Sequence, residues 1–158
     1  MADTKTGTKR TGTPGTSAQV WTDEERAAMQ ESARERKAAS RRGPVDERAE
    51  GERDIREKIA QMPSPDREMA ERIHDLVTAS APELTPRTYY GMPAYAKAGK
   101  TVCFFKPASK FKERYSTFGF EQAASIDDGE MWPVAFALTG LTPRAEARIA
   151  ELVKRAAR

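Results

Sequence analysis

The sequence predicts an α+β fold: an antiparallel sheet of about five strands with helices packed on one face, preceded by a polar N-terminal arm. Three observations lead there. Residues 1–50 contain no Ile, Leu or Phe, so the apolar content is concentrated after residue 54. Segments with helical apolar spacing stand before and after a central stretch. That stretch holds four tyrosines and five of the six phenylalanines between Tyr89 and Phe120, a composition that favours strands.

The arm, residues 1–51, cannot bury enough apolar surface to offset the entropy of ordering it. Residues 1–21, rich in Thr, Gly, Lys and Pro, are expected to be disordered. Thr22 and Glu25 then have capping-box spacing, and a helix is expected over 23–41. Its apolar residues are mostly Ala, with Met29, and the charges Glu31, Arg34 and Glu35 add little. A solvated or loosely docked helix follows from this. Gly43-Pro44 ends it and opens a linker over 42–51.

The domain proper is expected over 52–158. A short helix at 54–61 presents Ile55, Ile59 and Met62. Ser64-Pro65 reads as a cap and first-turn proline, and the helix beyond it carries Met69, Ile73, Leu76 and Val77 on one stripe. Strands are expected at 87–90, 94–97, 101–106, 115–120 and 134–138. Ala98-Gly99 makes a hairpin turn, and Pro93 interrupts its ladder. Thr142-Pro143 opens a last helix with Ala145, Ile149, Leu152, Val153 and Ala156 facing the core.

Charged residues make up 32% of the chain, and the net charge is +3. That balance gives little reason to expect nucleic-acid binding. The single cysteine, Cys103, excludes an intrachain disulfide. No apolar run approaches the ~20 residues of a membrane span. The first residues lack the apolar core of a secretory signal, so a cytoplasmic location is expected.

The segment Tyr90-Gly91-Met92-Pro93-Ala94-Tyr95, followed by Gly99-Lys100, Val102 and Phe104-Phe105, resembles the YdhG-like family of bacterial proteins. The resemblance runs from about Ile55 to the C-terminal helix and leaves the arm outside. The family is largely a domain of unknown function, and some members are described as frataxin-like iron chaperones. The resemblance implies an α+β fold with an antiparallel sheet, and iron as cargo.

Two candidate sites follow from residue chemistry. The hydroxyls of Tyr90 and Tyr95 are expected to converge over the sheet beside Met92 and Pro93. With Lys100, Lys110 and Tyr115 near in sequence, their ligand would be a small anion. The span 97–114 holds six basic residues and one acidic. Its aromatics resemble a single-strand-binding composition, but it matches no named nucleic-acid motif, and solvated lysines account for it.

Residues 121–130 hold four acidic residues and no basic one. Hard cations take carboxylate oxygens, so Asp127, Asp128 and Glu130 are the candidate iron ligands, with Glu121 beside them. The same residues also suit an Asp-Asp-Gly turn.

The single histidine, His74, is expected at the surface or at a packing boundary, and Cys103 as a buried, inert thiol. No nucleophile–base motif or phosphate loop is present. The arm, with Trp21 just before its cap, is a third candidate, as a partner-docking element.

Overall fold

The computed structural model describes residues 20–41 and 47–158. Much of the expected disordered stretch and of the linker, residues 1–19 and 42–46, lies outside that range. Among the described residues, five helices and five strands follow in the order α1 (Asp23–Ala39), α2 (Glu47–Ala60), α3 (Asp66–Ser80), β1 (Thr85–Tyr89), β2 (Met92–Lys97), β3 (Lys100–Lys106), α4 (Ala108–Phe111), β4 (Ser116–Phe120), β5 (Ala135–Leu138) and α5 (Pro143–Ala156). The strands form one antiparallel meander, β1-β2-β3-β4-β5.

Two tight turns set the register of its first half. Tyr90 and Gly91 have φ of 52° and 74°, and Ala98 and Gly99 have φ of 51° and 76°. Positive φ at both central residues is the two-residue hairpin geometry that matches strand twist. The Ala98-Gly99 turn was expected; the one at Tyr90-Gly91 takes residue 90 out of the strand assigned to it. Pro93 sits opposite Thr88 in β1, while pairing with β3 begins only at Ala94. The missing N–H of the proline thus falls where one side of β2 has no ladder.

The inward faces of the strands meet α2, α3 and α5 in one core. Ile55, Ile73, Phe105, Phe118 and Val153 are fully enclosed. Val134, expected to begin β5, is instead exposed.

The helix expected at 54–61 begins at Glu47, so the end of the expected linker is helical. Gly51 reads as a breaker in sequence. In three dimensions it is a contact, because a β-carbon there would lie 1.9 Å from the carbonyl oxygen of Pro86. The absent side chain lets α2 lie directly on β1.

The helix α3 starts at Asp66 rather than at a Ser64 cap. Asp66 is buried, and its carboxylate accepts from Ser109 N at 2.9 Å, Ser109 Oγ at 2.5 Å and Ser116 Oγ at 3.1 Å. Ser116 Oγ in turn accepts from Ala108 N at 3.0 Å. A buried carboxylate held by three donors thereby anchors α4, and with it Lys110.

Candidate functional site

Of the two expectations for the arm helix, solvated or loosely docked, the structure shows a docked one. Its capping box forms: Thr22 Oγ1 accepts from Glu25 N at 3.1 Å, and Glu25 Oε2 accepts from Thr22 N at 2.9 Å. One face of α1, made by Glu24, Ala28, Glu31, Ser32 and Glu35, lies against the domain. Ala28 and Ser32 are buried there.

The acidic side chains of that face meet donors from three elements. The Glu35 carboxylate accepts from two successive backbone N–H groups of the β1–β2 turn, Tyr90 N at 3.0 Å and Gly91 N at 2.8 Å. Consecutive amides in a turn form an anion-binding concavity. One turn earlier in α1, Glu31 Oε1 accepts from Lys110 Nζ of α4 at 2.8 Å, and Glu31 Oε2 from Lys58 Nζ of α2 at 3.0 Å. At the start of the helix, Glu24 pairs with Lys112 at 2.6 Å.

Burial pushes the Glu31 carboxyl up, but the hydrogen bonds and charges of Lys110 and Lys58 outweigh it and hold the group below its ordinary value. The hydrogen bond from Lys112 likewise lowers Glu24.

Gly91 lies at the centre of this arrangement. A β-carbon there would stand 1.9 Å from Glu31 Oε2 and 2.8 Å from Lys110 Nζ. A cleft of about 690 Å³ opens between α1, α2 and β1, with Glu31, Glu35, Asp54, Lys58, Arg87 and Tyr90 among its lining. A smaller one of about 280 Å³ is lined by Glu31, Lys58, Gly91, Pro107 and Lys110.

Of the residues expected to hold an anion, the structure brings the Tyr90 turn and Lys110 together. It does not bring Tyr95 to them. Tyr95 is 1% exposed, and its hydroxyl lies 3.1 Å from His74 Nδ1. Alternation along β2 sends that ring into the core, so the expected convergence of Tyr90 and Tyr95 is corrected. Met92 and Pro93 are also buried. Lys100 is exposed and begins β3, at the other end of β2 from Gly91. Tyr115 is half-exposed, with the Arg114 guanidinium 5.1 Å from its ring centre.

His74 is buried rather than at the surface or at a boundary. Its Nε2 lies 2.8 Å from Glu52 Oε1, completing a Glu52–His74–Tyr95 chain. Burial raises the Tyr95 phenol well above its usual value, and burial also pushes the Cys103 thiol up.

Asp127, Asp128 and Glu130 are exposed around Gly129, whose φ is 68°. Among the described residues, no three His, Cys, Asp or Glu side chains gather in a group that could hold a metal ion. No described helix is long and apolar enough to cross a membrane.

Glu31, Glu35 and Lys58 were absent from the expected site. One signal for the first two was present. Like charges four apart on a helix repel, so Glu31 and Glu35 on a face with Ala28 and Ser32 call for cations from elsewhere.

Fold and site together define an α+β domain that carries a carboxylate-binding surface at a hairpin turn, covered by its own N-terminal helix. The chain matches no protein-family model, no curated protein and no solved structure.

Proposed function

We propose that the protein is a binding module for an anionic ligand, with its site formed by the Tyr90 and Gly91 amides, Lys110 and Lys58. The observation that carries this is the set of four donors, which already holds two carboxylates at hydrogen-bonding distance. Two amides and two ammonium groups, brought together by three separate elements, supply directional and charge-assisted contacts to acidic oxygens. Binding fits this surface better than chemistry does. His74 and Cys103, the only histidine and cysteine in the chain, are both buried, and the His74 ring nitrogens are engaged by Tyr95 and Glu52.

The test uses the full chain with Glu31→Gln and Glu35→Gln, so that the site is not already neutralised from within. Inorganic phosphate and succinate are titrated while thermal unfolding is followed. A ligand that binds only the folded state raises the melting temperature by mass action. The expected result is a saturable rise that disappears when Lys110→Ala is added. Absence of any rise with both anions overturns the proposal.

A further inference from the structure

We propose that this surface is a receptor for an acidic helix that presents two carboxylates one turn apart, and that α1 is its tethered occupant. The inference rests on the anion-site reading above and names its ligand.

Three features favour a helix over a free anion. The first is spacing. Residues four apart on a helix project side by side, about 5–6 Å between β-carbons, and Glu31 and Glu35 use that offset to reach Lys110 and Gly91 separately. The second is the small residue between them. Ser32 is 8% exposed and Ala28 is 4% exposed, so the helix backbone comes close to the domain where a bulkier side chain would hold it away. The third is length. The Glu24–Lys112 pair, 2.6 Å apart, extends the acidic-on-basic match toward the start of the helix, beyond the reach of a small dianion.

The fit of α1 is polar and therefore exchangeable. Its buried residues are Ala28 and Ser32, neither of which removes much apolar surface from water. Local signals define the helix itself: the Thr22 capping box is complete, and three acidic residues occupy the first turn, where they complement the helix dipole. An α1-like helix supplied from another molecule would find the same donors. The tethered copy competes with it at an effective concentration in the millimolar range, so the free chain keeps its receptor surface covered until a stronger acidic helix displaces α1.

The experiment uses a fluorescein-labelled peptide of residues 20–41 and the full chain carrying Glu24→Gln, Glu31→Gln and Glu35→Gln. Polarisation is expected to show saturable binding to this variant. Binding to the unaltered chain is expected to be weaker by on the order of a hundredfold, because the tethered helix competes. A peptide bearing the same three substitutions is expected to bind neither chain, and adding Lys110→Ala to the variant is expected to abolish binding.

A second measurement needs no variant: excess peptide added to the unaltered chain should raise amide exchange across α1. A peptide that fails to bind the variant, while phosphate or succinate still stabilises that variant, overturns the helix inference and leaves the anion site standing. If neither peptide nor anion binds, both readings fall. Equal binding of the charged and substituted peptides also overturns the inference.

Discussion

The phenolic oxygen of Tyr95 lies 3.1 Å from His74 Nδ1, inside the core, while His74 Nε2 reaches Glu52 Oε1 at 2.8 Å. Each ring nitrogen of His74 thus has one hydrogen-bond partner inside the core. The chain ties β2 to α3 and α2. Tyr95→Phe removes the hydroxyl and leaves a buried nitrogen without a partner, at a cost of about 1–3 kcal/mol. Chemical denaturation is expected to show that loss with little change in slope. A Tyr95→Phe protein as stable as the parent would mean that the hydroxyl contributes nothing net.

Gly51→Ala is expected to destabilise the fold even though alanine is the better helix former. The helical gain is about 1 kcal/mol. Against it, the added β-carbon would meet the Pro86 carbonyl oxygen at 1.9 Å, and that atom belongs to a paired strand. Parting α2 from β1 costs about 1–3 kcal/mol, so the net change should be a loss. Urea midpoints decide the sign. A gain in stability would show that the two elements separate freely.

Gly91→Ala should act on the arm more than on the fold. Its β-carbon would contact the far ends of Glu31 and Lys110, which can swing aside, while the positive φ of 74° adds about 1–2 kcal/mol of strain. Displacing Glu31 breaks its pairs with Lys110 and Lys58. Amide exchange in α1 is expected to quicken, while exchange in β3 and β4 stays slow. Unchanged protection of α1 would separate Gly91 from arm docking.

Docking of α1 is expected to weaken in acid. The Glu31 carboxyl is held below its ordinary value of 4.5, with burial opposing the shift and Lys110 and Lys58 producing it. A carboxylate with a depressed folded value adds stability that is fully present above the unfolded value and is lost as pH falls through the folded one. Protection of the α1 amides should therefore hold at neutral pH and fall below about pH 4.5. Glu31→Gln should flatten that profile. A profile identical in both proteins would assign the acid response to other groups.

Much of the fold was legible because its signals are local. The stripe of Ile149, Leu152, Val153 and Ala156 has the period of a helix, and all four are buried. Gly99 marks its hairpin, and Thr22 with Glu25 marks the start of α1. Gly51 was misread because a close contact between helix and strand leaves the same mark in sequence as a chain break. His74 was misplaced because its partners, Glu52 and Tyr95, lie 22 and 21 residues away.

The candidate site was half legible. Lys110 stood out through its charge and Tyr90 through its hydroxyl, whereas the site uses the backbone N–H groups of Tyr90 and Gly91. Asp127, Asp128 and Glu130 stood out by adjacency in sequence, and folding leaves them exposed.

Local patterning by itself determined the class of fold, the Ala98-Gly99 turn, the last helix and the capped arm helix, since each depends on residues a few positions apart. Tertiary structure alone decided where the carboxylates of α1 would go. Glu35 meets Gly91 across 56 residues and Glu31 meets Lys110 across 79. Such pairs form because the packed sheet and helices hold turn, α2 and α4 at one end of the molecule, a juxtaposition that no short-range pattern encodes.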